Sequence, residues 1–397
     1  MRKEDSLADN HALNLEKLIL RFRNFRSGAR ALLGVLSGKR VFGGPRTAAL
    51  FMTDGCNSRC LMCWFHSPLV RSDPSPEGGP GGPSHPRRPR FMDTALCETI
   101  LKELHKLGTY RVVLGGFGEP SLHPGLEEAI ELTVRLRMLP YVITNGISVD
   151  EGRAGRWAKM RAYFRVSVHA GDPETWLRIH PTLAAEDFER LTRAVRILAG
   201  SRSASVSLMH VVQKANFRGL GGMIRHARSL GVREVLFFPV RADDEMREVL
   251  LSPGEEEEVR RDVPKFIRLS QSYGIRTNLP EFLADGHFVW SGRVRTADLY
   301  RRIPCSIGWT YTEFDLDGTM RPCEYSRLVM GRAGERRIRD LWSSVPYQTF
   351  REQALALPSR GRGVPGCSCA SCSMARFNLN IHNLLHPRWE RSDENRL

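Results

Sequence analysis

Between Thr47 and Phe238 the chain alternates short apolar strand patterns with amphipathic helical ones, and this alternation narrows the available folds more than any other feature. The strand patterns fall at Thr47–Thr53, Arg111–Leu114, Tyr141–Thr144, Phe164–Val168, Ser205–Val212 and Glu234–Phe238. Between them, Thr94–Leu107, Leu126–Leu136, Phe188–Leu198 and Phe217–Leu230 repeat apolar residues at three- and four-residue spacing. Six strand–helix units predict a parallel sheet with right-handed crossovers. They are too few for a closed eight-stranded barrel, so the expected class is α/β, a partial (β/α)6 TIM-like barrel. One more helix is expected at 252–272, started by Ser252 before Pro253 and an acidic first turn. After Asn278 the alternation stops.

These signals divide the chain into a basic helical extension at 1–46, the partial barrel at 47–278, a small cysteine-rich domain of hairpin and helix at 279–375, and a tail at 376–397. The Pro-, Gly- and Ser-rich stretch 67–90 has no periodicity and is expected to be a loop or a lid over the site. The 397 residues are 41% hydrophobic and 26% charged, enough apolar material for a sizeable core, which excludes wholesale disorder. No apolar run approaches the ~20 residues that cross a bilayer, and the N-terminus lacks the basic-then-apolar order of a secretory signal. A cytoplasmic protein with no membrane partner is expected.

Lys and Arg together number 59 against 44 Asp and Glu. The excess is mostly Arg scattered along the whole chain, so nucleic acid is not favoured as a partner. Residues 1–48 are the densest basic stretch and carry the apolar series Leu13, Leu15, Leu18, Ile19, Leu20, Phe22 and Phe25, which reads as a helix packing on the body.

Nine cysteines are an odd number in a reducing compartment, which argues against a disulfide framework. Cys56, Cys60 and Cys63 form one group; Cys305, Cys323, Cys367, Cys369 and Cys372 form another; Cys97 lies among Leu96, Ile100 and Leu101 and reads as core. A structural zinc site closes with four ligands, and all-thiolate iron–sulfur clusters normally use four. Three thiolates on one loop therefore point to a cluster with an open coordination position.

The run Thr53-Asp54-Gly55-Cys56-Asn57-Ser58-Arg59-Cys60-Leu61-Met62-Cys63, just past the first strand, resembles the radical SAM superfamily. Met62 stands where that family usually has an aromatic residue. The resemblance implies a 4Fe-4S cluster on Cys56, Cys60 and Cys63, with S-adenosylmethionine chelated at the open iron. Gly115-Gly116-Phe117-Gly118-Glu119-Pro120 is similar to the family's glycine-rich segment, which implies cofactor contacts at Gly116, Gly118 and Glu119. Thr144-Asn145-Gly146 resembles the turn near the adenosine, giving Asn145. The fourth strand ends in Val166-Ser167-Val168-His169, which places Ser167 at the ribose; His169 stands where many relatives have Asp or Glu. Arg178 is expected to clamp the methionine carboxylate, and Asn216 to close the adenosine pocket.

In the second group, Thr310–Pro322 alternates and turns at Asp317-Gly318, a hairpin signal. A hairpin flanked by Cys305 and Cys323, with Cys369 and Cys372 at C-x2-C, resembles the Twitch form of the SPASM domain. It implies one auxiliary 4Fe-4S cluster on Cys305, Cys323, Cys369 and Cys372, with Cys367 a spare or alternative ligand and zinc the other possible occupant.

The resemblance implies an enzyme that reductively cleaves S-adenosylmethionine to a 5′-deoxyadenosyl radical, which takes hydrogen from a substrate C–H bond. A nearby auxiliary cluster implies net oxidation, an oxidoreductase activity. A small carbohydrate-like substrate is favoured; peptide modification or epimerisation is the alternative, with RNA modification and a non-catalytic sensor behind them. Electrons are expected from a flavodoxin- or ferredoxin-type donor. Lys214, His169, Glu324 and Tyr325 are the candidate bases.

Overall fold

The computed structural model describes residues 2–70, 88–240, 244–284, 299–361, 363–369, 372 and 374–386. Residues 71–87 of the expected loop and 387–397 of the expected tail lie outside the described residues, as do the side chains of Leu13, Leu15, Leu18 and Ile19. Helix α1 (Arg2–Ser37) leads into strand β1 (Thr47–Phe51). There follow α2 (Thr94–Leu107), β2 (Arg111–Gly115), α3 (Leu126–Arg135), β3 (Leu139–Thr144), α4 (Glu151–Trp157) and β4 (Tyr163–Ser167). The repeat continues with α5 (Pro173–Ile179), α6 (Ala185–Ala199), β5 (Ser205–Val212), α7 (Leu220–Ser229), β6 (Glu234–Pro239), α8 (Pro253–Ser272) and the short β7 (Arg276–Thr277). Helices α4 and α5 are additions to the sequence reading; each is only seven residues long, too short for a periodic apolar stripe to stand out.

Local chemistry sets the boundaries. Asp93, Asp150 and Asp172 each turn a carboxylate onto a backbone N–H of the first turn of α2, α4 and α5. Ser252 and Glu255 form a reciprocal capping box that starts α8. Gly108, at φ 83°, ends α2.

Strands β1 to β7 lie in sequence order and pair parallel. Crossovers of one hand between strands in sequence order put every helix on the same side of the sheet. The residues facing that side, among them Leu50, Leu114, Val142, Phe164, Val166, Leu208, Val235 and Phe237, are wholly buried. Their neighbours in the alternation, including Ile143, Arg165, Ser167, Met209 and Phe238, face the helix-free side and stay partly accessible. The result is a partial TIM-like barrel whose helix-free side is in part accessible.

The cysteine-rich hairpin continues this sheet. Strands β8 (Tyr311–Phe314) and β9 (Thr319–Arg321) pair antiparallel, and β8 also pairs parallel with β1, Thr47 opposite Tyr311 and Leu50 opposite Phe314. Strand β10 (Gly331–Arg332) completes the edge. The barrel therefore ends on β1 against the cysteine-rich region, and the two share one core containing Leu50, Leu114, Phe314, Met320, Leu341 and Phe350. Among the described residues no helix is long and apolar enough to cross a membrane.

Candidate active site at the cysteine-bearing face

The first cysteine loop leaves the C-terminal end of β1 and is fixed from several directions. At its root, the Thr53 hydroxyl donates to the Arg90 carbonyl (2.7 Å) and accepts from the Gly55 N–H (3.0 Å). Asp54 takes both the Arg90 N–H (2.7 Å) and its guanidinium (2.6 Å). The segment after the Pro- and Gly-rich stretch is thereby clamped to the start of the loop. Farther on, the Leu61 N–H donates to the carbonyl of Ile179 at the end of α5 (3.0 Å), and Gln213 beyond β5 donates from Nε2 to the Met62 sulfur (3.3 Å).

The glycine-rich segment after β2 meets this loop backbone to backbone. The Glu119 N–H donates to the Gly55 carbonyl at 2.8 Å. A Cβ on Gly118 would sit 2.1 Å from that same carbonyl oxygen and 2.7 Å from that of Thr53, so only glycine allows the two segments to touch. Gly116 has φ 127°, and a Cβ there would also strike the Phe51 ring at 2.3 Å. Both glycines are required by the contact between loops, a role that exists before any ligand binds.

Glu119 is buried and turned inward. Its carboxylate accepts from the Ser121 N–H (3.0 Å), the Thr144 hydroxyl and the Asn145 N–H (2.7 Å). Burial nevertheless pushes its carboxyl above the ordinary value, against the lowering effect of these donors. Asn145 carries the chain of contacts back to the cysteines: Nδ2 donates to Asn57 Oδ1 (2.8 Å) and lies 3.8 Å from the Cys56 sulfur. The ends of β1, β2 and β3 are thus tied together through Gly118, Glu119 and Asn145.

The three thiols are half-buried to nearly buried within this frame. Cys60 Sγ lies 3.2 Å from the Ser58 hydroxyl, and the His66 N–H donates to Cys63 Sγ at 3.3 Å. Burial pushes the Cys56 thiol up to about 12 and raises Cys60 and Cys63 as well, with mutual repulsion of the would-be thiolates adding at Cys56 and Cys60. Thiols of this kind keep their protons until a metal group takes the place of the protons.

Ser167 lies at the end of β4 on the accessible face. His169 has φ 68°, a left-handed backbone that few residues other than glycine adopt. It is held there by two bonds: its Nδ1 accepts from the Val211 N–H (3.1 Å), and its carbonyl accepts from Asn216 Nδ2 (2.8 Å). Burial holds its imidazole well below the ordinary value, with the nearby His180 and His210 adding. A neutral ring whose Nδ1 lone pair already accepts a backbone proton is no general base, which corrects one candidate. Asn216 is fully used, donating also to the Val211 carbonyl (2.8 Å) and accepting from the Gln213 N–H (2.8 Å). It braces β4 against β5. Arg178 is half-exposed and pairs with Glu174 (2.8 Å) and Thr175 (3.0 Å) on its own helix, one residue from the Ile179 contact with the cysteine loop. Lys214, another base candidate, is exposed.

The second cysteine group surrounds a space. Cys305, Cys323, Cys367, Cys369 and Cys372 line one cavity together with Tyr300, Tyr325 and Asn378. The Tyr300 hydroxyl is 3.1 Å from Cys372 Sγ, and Asn378 Nδ2 is 3.6 Å from Cys305 Sγ. Asn378, on the helix Ala375–Leu385, also receives the Ser306 N–H and hydroxyl on Oδ1, both at 2.8 Å. Tyr300 and Asn378 carry no motif, so the sequence reading missed both. Cys367 bonds the Ser326 hydroxyl (3.2 Å) and belongs to the cavity with the other four. Burial raises Cys305 well above the ordinary value and pushes Cys372 up to about 11; contact with Cys323 pushes Cys367 up to about 12. The two cysteine regions meet directly, the Trp64 ring edge-on to the Tyr325 ring with centroids 6.0 Å apart.

Three thiols on a loop at the C-terminal end of β1, a glycine-rich strand end packed on that loop and a five-thiol cavity beside it define an iron–sulfur protein built on a partial barrel. A radical SAM superfamily model matches residues 50–227, and an iron-sulfur cluster-binding (SPASM) domain model matches residues 305–373. The chain carries a radical SAM domain and, C-terminal to it, a SPASM domain. Its cofactors are accordingly a 4Fe-4S cluster with S-adenosylmethionine in the barrel and auxiliary iron–sulfur in the SPASM domain; the all-thiol donor sets fit such groups.

Among curated relatives, the chain is 23% identical over 338 residues to the PqqA peptide cyclase of Gluconobacter oxydans (strain 621H), covering 78% of this chain and 88% of that one. It is 23% identical over 329 residues to a tungsten-containing aldehyde ferredoxin oxidoreductase cofactor-modifying protein of Pyrococcus furiosus, covering 76% and 82%. Among solved structures, Streptococcus suis SuiB bound to S-adenosylmethionine shares the fold with a TM-score of 0.61 at 14% identity, covering 86% of this chain and 77% of that one.

Proposed function

We propose that the protein removes hydrogen from a C–H bond of a peptide substrate in a net oxidation. The observation that carries the oxidative part is the contact of the two cysteine regions at Trp64 and Tyr325, which sets them side by side. Support for a peptide comes from the relative named a PqqA peptide cyclase, with which 78% of this chain aligns.

Cys56, Cys60 and Cys63 would hold the first cluster, and Cys305, Cys323, Cys369 and Cys372 the second, with Cys367 beside them. When bound, these groups and S-adenosylmethionine supply hydrogen-atom abstraction and an acceptor for the second electron. The chain's own residues supply place and dryness. Gly116 and Gly118 bring backbone close to the loop, Glu119 and Asn145 fix the ends of β2 and β3, and Ser167 faces the interior. Asn216 acts through His169 as a brace. Arg178 reaches a methionine carboxylate only by leaving Glu174.

An oxidised substrate also loses a proton, and a base within hydrogen-bond reach is required. Of the four candidates, Glu324 is favoured because it directly follows Cys323 at the second cysteine region. A flavodoxin- or ferredoxin-type donor completes the reading. The test is anaerobic turnover of the reconstituted, reduced protein with S-adenosylmethionine and a C-deuterated precursor peptide. Deuterium is expected in 5′-deoxyadenosine; no 5′-deoxyadenosine above a protein-free control sinks the reading, and deuterium transfer from a sugar alone moves the substrate class.

A further inference from the structure

The interior of the barrel contains a cation that none of the roles above uses. Arg165 stands in the middle of β4, in register with Ile143 on β3 and Ser207 on β5, on the side of the sheet that bears no helix. Its guanidinium carbon lies 5.0 Å from the Tyr141 ring centre and 5.6 Å from that of Phe238. Its Nε is buried and has no hydrogen-bond partner among the described residues. The acid on the same face, Glu234 at the start of β6, is already taken by the Tyr163 hydroxyl and by Arg276 at 3.3 Å. A second guanidinium, that of Arg111, also lies over Tyr141 at 5.2 Å, and its Nε is likewise buried without a partner. The wall around Tyr141 therefore holds two positive charges that Glu234 does not balance.

An Nε–H drawn out of water without a hydrogen-bond partner loses hydration that ring contacts restore only in part. The planar fork keeps several N–H donors, and stacking on two rings restricts its plane, which is the arrangement that binds a carboxylate through two parallel hydrogen bonds. We propose that Arg165 anchors a carboxylate of the substrate inside the barrel. Resting on the radical reading of this site, the inference names its substrate class: a molecule bearing a carboxylate. Ser167 is the next side chain on the same face, about 6.6 Å nearer the end of the strand where the cysteine loop lies. A carboxylate on Arg165 thus points the carbons attached to it toward the cysteine face.

The test uses the full reconstituted protein and titration calorimetry. The probes are glutarate, N-acetylglutamate methylamide, its neutral glutamine counterpart and inorganic phosphate. Carboxylates should bind saturably and the neutral amide at least ~10-fold more weakly, the discrimination expected of a site built around an ion pair. Arg165→Met, which keeps the contacts with Tyr141 and Phe238, should lose this preference; Arg165→Lys should retain part of it. Affinity for S-adenosylmethionine should stay within about twofold. Preference for glutarate over the peptide-like amide points to a small acid, the reverse to an acidic side chain in a peptide. In wild type, carboxylate but not the neutral amide should protect Arg165 from phenylglyoxal, read by peptide mass mapping, which requires no variant to fold. The proposal is overturned by equal binding to Arg165→Met, by phosphate displacing the carboxylates, by no carboxylate binding to wild type, or by weakened S-adenosylmethionine binding alone. Formation of 5′-deoxyadenosine is scored separately, so loss of the anchor and loss of the radical reading give different results.

Discussion

The two cysteine regions hold similar donors by opposite means. In the first, three thiols come from eight consecutive residues, Cys56 to Cys63, and the fold's task is to pin one loop against the ends of β2 and β3. In the second, five thiols come from segments spread over residues 305 to 372 and meet only because β8 pairs with β1 and the last helix inserts Asn378 among them. A local donor set survives local damage to its surroundings, whereas an assembled one depends on every segment that closes it. The difference makes the first region the place to test chemistry and the second the place to test assembly.

The largest effect should come from changing Cys56, Cys60 and Cys63 together to Ala. Formation of 5′-deoxyadenosine should fall at least ~1000-fold, to background, because the variant removes a unit that acts as a whole. Iron should drop from about eight to about four atoms per chain, the second region keeping its cluster. If all iron is lost, the two regions are not independent and the contrast fails.

Next in size is Cys323→Ala or Cys372→Ala. Cleavage of S-adenosylmethionine should persist while oxidised product falls ~100-fold or more, since each variant removes one member of the acceptor's donor set. Removal of a metal site can unfold its surroundings. Retained first-region iron and an unchanged circular dichroism spectrum are therefore the controls, and full product from a folded variant would reduce the second region to a structural staple.

The first region was legible because its signal is short-range. The cysteine spacing, the glycine-rich strand end and the Asn145-Gly146 turn are each contained in a few residues, and the periodicity of α2 and α6 announced the barrel between them. What the sequence did not disclose is tertiary. Nothing in Tyr311–Phe314 indicates that it would pair with β1 across more than 250 residues. Nothing around Tyr300 or Asn378 marks them as neighbours of thiols. The engagement of Arg178 with Glu174, and of Asn216 with His169 and Val211, likewise depends on contacts no motif encodes. Arg165 looked like any alternating strand residue until the one-sided placement of helices showed which face bears none.

Acidity separates the regions by sign. His169, His180 and His210 pack around β4 and β5, and burial lowers all three, His180 to about 4 and His210 to about 3. Each has a folded value below its unfolded one of about 6.5, so its contribution is complete above that pH and declines as pH falls toward the folded value. Lowering the pH from 7 to 5 should cost about 2 kcal/mol per buried ring, several kcal/mol in all. Glu313, on β8, shifts the other way, held well above the ordinary carboxyl value by burial and by Glu324 and Asp315. Its contribution is complete below about 4.5 and declines as pH rises. Hydrogen exchange should therefore show β4 and β5 loosening first in acid; β8 loosening first in acid would contradict this assignment.

The smallest effect expected is that of Tyr300→Phe, and it bears most directly on whether the second region is an assembled site. The hydroxyl lies 3.1 Å from Cys372 Sγ and receives Asn378 Nδ2 at 2.9 Å, so it joins a thiol to the helix that closes the cavity. Removing it leaves the ring in place and one amide donor short of a partner, although Asn378 Nδ2 still reaches the Met374 carbonyl at 3.1 Å. Loss of one such buried bond costs about 1 kcal/mol. A fall in melting temperature of a few degrees is expected, with 5′-deoxyadenosine formation unchanged because the first loop touches none of these atoms. Asn378→Ala should cost more than Tyr300→Phe, since it also strips the Ser306 N–H of its acceptor. The double variant should cost less than the sum of the two, because the singles break a shared bond. Strict additivity would mean that Tyr300 and Asn378 stabilise the cavity separately, and the picture of one cooperative closure would have to be given up.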